Sequence, residues 1–282
     1  MVVARKALSE DFEIIYPLFL GLNNPYLSKE DWKRLFSSPW EDGEGYVGYV
    51  LMDNVDAVGF LGLIFSRRTI RKEEHKFCNI TSWVVKPEYR SENHYLLMPL
   101  VRLIDYTFTN FTPSIEVAKI LKLLRFEELN SKLRVFAPSP GIKSFAGGFG
   151  LISDSSVLKK ELDPQNLAIY REHVQFVDGH FLLKTDHGNC YLILHKAFRK
   201  RLPFLFVHYI SAPDVFLQFV EPVIFRLCLK MKACGLILDD KYLNGYTSYF
   251  SMTLPHVRLF RSKMLQSVDI DTLYSECPLL NL

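Results

Sequence analysis

The side chains best suited to chemistry fall in one stretch, Ile80 to Asp105, which reads ITSWVVKPEYRSENHYLLMPLVRLID. Ile80 to Val85 is rich in β-branched and aromatic residues, the composition of a strand. Lys86-Pro87-Glu88-Tyr89-Arg90 is a polar break, and Pro87 keeps Lys86 out of the helical region. From Asn93 to Asp105, Leu96, Leu97, Leu100, Val101 and Ile104 recur at helical spacing, with Ser91 or Asn93 as the N-cap. A strand running through a turn into a helix presents unpaired N–H groups at the positive end of a helix dipole, a geometry that holds anions such as phosphate. Glu92 and His94 stand at the predicted helix start. Glu92 reads first as a favourable N-terminal charge and His94 as a surface or capping residue. They are also the two candidate proton carriers of the stretch.

Other reactive residues are scattered. Asp186-His187 reads as a turn, and His195 and His208 as strand residues, packed or exposed. The five cysteines, Cys78, Cys190, Cys228, Cys234 and Cys277, are odd in number and none shows metal-ligand spacing. They read as free thiols, with no metal site expected, in a reducing, cytoplasmic setting. Gly147-Gly148-x-Gly150 could cradle a phosphate, but it does not follow a strand and open a helix.

The composition excludes several classes. Hydrophobic residues make up 49% of the chain, with 22 Phe and 14 Tyr, which predicts a large core and argues against disorder. The net charge of +3 is too weak for a nucleic-acid-binding face, so no nucleic acid is expected as a partner. Arg67-Arg68 with Arg71-Lys72, and Arg199-Lys200-Arg201, read as solvated turns. No run reaches the ~20 apolar residues of a membrane span: Glu221, Pro222 and Arg226 interrupt the most apolar one.

The elements that position the stretch read in order. Val2 to Lys6 is a strand, Ser9 opens a helix bearing Phe12, Ile15, Phe19 and Leu20, and Ser28 caps a second. Tyr46 to Met52 and Ala57 to Ser66 form a hairpin, Arg67 to Glu74 a charged loop, and Phe77 to Val85 the fourth strand. Tyr106 to Phe111 is a strand, Ser114 caps a helix to Leu124, and Ser131 to Phe136 is a last strand. Pro138 to Asp163 reads as a linker or covering loop. Asp163-Pro164 opens a helix to about Val174, strands follow at 176–184, 189–198 and 202–211, and Asp214 caps a long helix to Ala233. Strands are expected at 235–238, 257–260 and 271–274.

Val84-Val85-Lys86-Pro87-Glu88-Tyr89-Arg90 resembles the strand-to-helix segment of the GCN5-related N-acetyltransferase (GNAT) superfamily. There a Val-x-Pro-x-Tyr-Arg run leads into Arg/Gln-x-x-Gly-x-Gly/Ala, whose amides hold the pyrophosphate of acetyl-CoA. Arg90 stands at the Arg/Gln position, while Asn93 and Tyr95 occupy the two glycine positions. Val58-Gly59-Phe60 is similar to the family's third strand. Arg125-Phe126 resembles its Gly-Phe helix ending, with Arg for Gly, and Leu121 stands where a general-acid Tyr is often found.

The resemblance implies an α/β fold of two GNAT-like halves, each a mixed, bent sheet flanked by helices. The halves are expected at 1–137 and 164–282, the second divergent, with 138–163 between them. It implies an acyltransferase that moves an acetyl group from acetyl-CoA, or an acyl group from another acyl-CoA, to an amine or hydroxyl of a small molecule or sugar. The implied cofactor-binding residues are Val84, Val85, Tyr89, Arg90, Ser91, Glu92, Asn93, His94 and Tyr95. The alternative is an inactive GNAT-fold module that binds a ligand or protein.

Overall fold

A computed structural model of the chain describes residues 2–40, 43–139 and 148–282. In chain order its main elements are β1 (Val2–Ala7), α1 (Phe12–Leu20), α2 (Lys29–Arg34), β2 (Gly48–Asp53), β3 (Asp56–Ile70), β4 (Glu73–Val85), α3 (Asn93–Leu97), β5 (Tyr106–Asn110), α4 (Ile115–Leu123), β6 (Glu127–Glu128), β7 (Leu133–Phe136), β8 (Phe149–Ile152), α5 (Ser155–Glu161), α6 (Pro164–His173), β9 (Gly179–Thr185), β10 (Gly188–Arg199), β11 (Leu202–Ile210), α7 (Pro213–Gln218), α8 (Val220–Met231), β12 (Gly235–Asp239), β13 (Ser251–Leu254), β14 (Leu259–Arg261) and α9 (Glu276–Leu280). They form two compact units. Unit 1 comprises Met1–Leu129, Val257–Ile270 and Tyr274–Leu280, and unit 2 comprises Asn130–His256, Asp271–Leu273 and Asn281–Leu282.

Unit 1 is built on a seven-stranded mixed sheet of order β1-β2-β3-β4-β5-β14-β6. One face carries Leu61, Leu63, Cys78, Ile80 and Phe108 against Leu96, Leu100, Ala118 and Leu121 of the α3 and α4 region. The other carries Phe60 against Phe19 and Phe36, and Phe77 against Phe111, Phe260, Leu265, Ile270 and Cys277. The strands alternate because both faces are covered by apolar layers, with residues i and i+2 on one side.

Unit 2 repeats the plan as β8-β9-β10-β11-β12-β7-β13. Its α7 and α8 cover one face with Phe216, Val220, Val223 and Leu227. The halves correspond down to single contacts. A Cβ on Gly48, at the start of β2, would sit 2.2 Å from the Leu61 carbonyl oxygen, and one on Gly179, at the start of β9, 2.0 Å from that of Leu194. Only glycine permits either approach.

Several expectations are corrected. Leu133–Phe136 does not close the first half: it pairs with β12 and β13 in the second sheet. The matching position of the first sheet is filled by β14, from the far end of the chain. Unit 1 therefore does not run as the contiguous stretch 1–137, because sheet pairing is non-local and each half takes a strand from beyond its expected boundary.

Arg67 to Glu74 is the tip of the β3–β4 hairpin, where Arg71 and Lys72 turn the chain with φ of 52° and 70°. The segment expected as a linker holds β8 and α5, while Pro140 to Gly147, including part of the glycine motif, lies outside the described residues. The helix expected from Asp214 breaks at Phe219 into α7 and α8, and Asp214 makes no cap. Residues 271–274 are not a strand, and Leu20 is exposed rather than packed.

Candidate functional site

In unit 1, β4 and β5 pair in parallel from Lys76↔Tyr106 to Asn79↔Thr109, and there the ladder stops. Beyond it β4 continues to Val85 with β3 as its partner, through a bulge that sets Ser82 and Trp83 against Leu61. Ser82 adopts a left-handed φ of 47°. A bulge bends a strand and redirects it. Here it accompanies the parting of β4 from β5, so the edge of Ile80–Val85 that would face β5 has no strand partner among the described residues. Asn110 closes the apex of this wedge, donating from Nδ2 to the Ile80 carbonyl at 3.0 Å. Its Oδ1 is buried and accepts no hydrogen bond from the described residues.

Beside the apex lies a buried polar network. Asn79, Thr107 and Thr109 project to the sheet face opposite α3 and α4. Thr109 Oγ1 donates to Asn79 Oδ1 at 3.0 Å, which turns the Asn79 amide nitrogen toward the Glu276 carboxylate, to which it donates. Thr112 Oγ1 donates to the other Glu276 oxygen at 2.7 Å. Glu276 belongs to α9 and is fully buried, whereas Thr112 is exposed. Burial raises the Glu276 pKa, partly opposed by the hydrogen bonds from Thr112 and Asn79. The segment carrying it is anchored by Tyr274, whose ring packs edge-on to Trp40 at 5.2 Å and lies 5.0 Å from the Arg68 guanidinium.

The turn after β4 differs from its expected form. Pro87–Glu92 is a 3₁₀ turn, α3 spans only Asn93–Leu97, and Met98–Arg102 is again 3₁₀. Pro87 and Pro99 lack the N–H groups that a continuous helix would use. The amides of Tyr89 and Asn93 bond to the Lys86 and Arg90 carbonyls, so they are not left open as at a regular helix start. Ser91 makes no cap; its hydroxyl reaches Glu92, and His94 Nδ1 lies 2.9 Å from the Ser91 carbonyl oxygen.

The candidate residues thus divide into groups. Val84 and Val85 lie on β4 at the wedge. Tyr89 donates to Asp53 at 2.9 Å, and Asn93 accepts from the Trp83 indole at 3.2 Å. Tyr95 is turned to a groove shared with Val2, Val3 and Met98. Arg90, Glu92 and His94 stay on the turn and do not join the Glu276 network. Sequence reasoning missed Glu276 and Thr112. The signal was a glutamate heading the otherwise apolar run Glu276–Leu280, and its partner Asn79 lies 197 residues away.

Unit 2 ends its parallel ladder at Phe206↔Ile237 and bulges at His208, the counterpart of the Ser82 bulge. At this bulge His195 Nδ1 and His208 Nε2 are 2.6 Å apart, and His208 Nδ1 is 3.0 Å from Thr272 Oγ1. Among the described residues no group of three His, Cys, Asp or Glu side chains could hold a metal, and no helix is long and apolar enough to cross a membrane.

No family model matches the sequence, and no curated protein does. Solved structures do match. The chain is similar to a GCN5-related N-acetyltransferase from Anabaena variabilis ATCC 29413 (TM-score 0.59, 12% identity, covering 93% of this chain and 72% of that one). It is also similar to one from Kribbella flavida (0.57, 10%, 93% and 71%). A third is a tandem GNAT protein from the clavulanic acid biosynthesis pathway (0.51, 12%, 93% and 98%). The two seven-stranded mixed sheets flanked by helices are in keeping with these matches: the chain has the GNAT fold, divergent in sequence and built as two GNAT-like halves.

Proposed function

We propose that the chain is an acyltransferase that takes its acyl group from acetyl-CoA or another acyl-CoA at the wedge of unit 1 and transfers it to an amine or hydroxyl of a small molecule or sugar. The observation that carries this reading is the open β4 edge from Ile80 to Val85 beside the orphaned Asn110 Oδ1. An extended ligand arm containing amides pairs with such an edge as an added strand would. It also offers an N–H to a buried acceptor that otherwise costs about 1–3 kcal/mol. The donor supplies an activated thioester carbonyl. The chain's own residues orient that arm along β4 and provide acceptors beside the wedge.

The fit is good along the strand and poor at the turn. The amides at Tyr89 and Asn93 are taken by 3₁₀ bonds, and α3 is too short to act as an anion site. The diphosphate would then be met by side chains such as Arg90. This is also the observation that favours the second reading, a GNAT-fold binding module without catalysis.

Titration calorimetry with acetyl-CoA and longer acyl-CoAs separates the two. Saturable binding is expected, weakened about tenfold by Asn110→Ala, or roughly 1.4 kcal/mol, and weakened also by Arg90→Ala. Neither heat nor a thermal shift with any acyl-CoA would remove the enzyme reading in favour of the module.

A further inference from the structure

We propose that Thr112 and Glu276 form a proton relay at the mouth of the wedge, with the acceptor an amine: the hydroxyl of Thr112, an exposed residue, takes the amine proton while passing its own to the buried Glu276 carboxylate. The inference rests on the acyltransferase reading and adds the group that removes the proton, together with the class of acceptor.

Three observations carry it. First, Glu276 is a fully buried carboxylate with hydrogen-bond donors on both oxygens and no basic side chain in an ion pair with it among the described residues. A buried anion without a cation is costly, so the site gains by taking up a proton or a positive charge. An amine substrate brings both. Second, the network is directional. Thr109 fixes Asn79 Oδ1, Asn79 therefore presents its nitrogen to Glu276, and the remaining oxygen faces Thr112 at 2.7 Å. Third, Thr112 lies three residues past Thr109, the last rung of the parallel ladder, so it stands on the side where the strands part. It is the exposed member of an otherwise buried network, and it connects the carboxylate to the outside.

The step balances. The amine nitrogen bonds to the acyl carbon and the carbon–sulfur bond breaks. The amine proton moves to Thr112 Oγ1 as the hydroxyl proton moves to Glu276, and the departing thiolate is protonated from solvent. Glu276 ends as the neutral acid that burial favours, then returns its proton by the same route. Of the groups around Glu276, Asn79 and Thr109 on β4 and β5 do not ionise, Cys277 on α9 is a buried thiol, Arg68 on β3 lies over the Tyr274 ring at 5.0 Å, and α2 brings Arg34, held on the Leu279 carbonyl at 3.5 Å and near Asp31.

The test compares the wild-type protein with Thr112→Val, Thr112→Ser and Glu276→Gln. Thiol release from acetyl-CoA is followed with spermidine, glucosamine and tyramine, and donor binding is measured calorimetrically on the same samples. Thr112→Val and Glu276→Gln are expected to bind donor as the wild type does but to release thiol about 100-fold more slowly, with the acid limb of the pH profile lost in Glu276→Gln. Thr112→Ser should recover activity to within about threefold of the wild type, since a hydroxyl is all the relay requires. In the free protein, carbon-13 spectra of labelled glutamates should show one carboxyl titrating above the usual range. It should be absent in Glu276→Gln and displaced in Thr112→Val. With donor bound, thiol release by Thr112→Val as fast as by the wild type, or by Thr112→Ser no faster than by Thr112→Val, overturns the relay alone. Donor binding without transfer to any of the three amines overturns the amine acceptor. No donor binding overturns the acyltransferase reading and the relay with it.

Discussion

At the scale of single residues, the two units carry buried titratable groups of opposite sign. In unit 2, burial pushes His180 and His195 down to about 4, and His208 well below its ordinary value. A histidine whose folded pKa is depressed binds fewer protons folded than unfolded. Stability is therefore full above the unfolded value of about 6.5 and falls as pH drops toward 4. Each ring contributes up to about 1.4 kcal/mol per pH unit in that window. Calorimetric melting between pH 7 and 4 should show this fall, and His195→Asn should flatten it; an unchanged slope would mean that His195 keeps an ordinary pKa. Glu276 acts in the reverse sense. Its raised folded pKa means stability is lost as pH rises through and above the usual carboxylate range. Glu276→Gln should accordingly reduce the loss of stability on the alkaline side, read in the same melts, while removing the proton acceptor of the proposed relay.

At the scale of elements, local chemistry made some features legible and non-local pairing hid others. Ser28, Ser114 and Asp163 cap their helices as expected, because a cap is a matter of residues two or three apart: Ser28 accepts from the Asp31 amide and Asp163 from those of Gln165 and Asn166. The helix after β4 was misread because apolar spacing outweighed Pro99. The β4 bulge was invisible because it is defined by the register with β3. The end of α4 falls between these cases. Arg125 was expected at a glycine position, and it does adopt the left-handed conformation, with φ of 64°, while its amide and that of Phe126 close the helix on Lys122 and Leu121. A non-glycine residue there costs roughly 1 kcal/mol. Arg125→Gly should therefore raise the unfolding free energy by about that amount in denaturant titration, less the greater freedom that glycine gives the unfolded chain. The converse holds at Gly179. An added methyl meets the Leu194 carbonyl oxygen at 2.0 Å, and Gly179→Ala should destabilise by about 2 kcal/mol or more.

At the scale of the whole molecule, the exchange of strands decides what can fold alone. The division of the sequence expected at residue 137 leaves the first part without β14 and without α9, and gives it a strand, β7, that pairs elsewhere. A chain of residues 1–137 would expose the β5 edge and the apolar face that Phe260, Leu265, Ile270 and Cys277 cover, and an open edge of this kind aggregates. The register shows a better division. β6 and β14 are antiparallel, with Leu259 opposite Glu128 and Phe260 opposite Glu127, and the Leu129 amide donates to the Arg258 carbonyl at 2.9 Å. The two ends that flank residues 130–256 are thus adjacent, as the arms of a hairpin are. Joining Leu129 to Val257 through a short Asn-Gly turn suits such a closure, and it keeps β14, Tyr274, Thr112 and Glu276 with their partners. We expect that joined chain to be monodisperse and to melt cooperatively, while residues 1–137 do not. Both outcomes can be read by size-exclusion chromatography and calorimetry. If the donor site lies in unit 1, the joined chain also retains acetyl-CoA binding within about tenfold of the full chain. Cooperative folding of 1–137 would instead show that β14 is dispensable, and with it the segment that delivers Glu276.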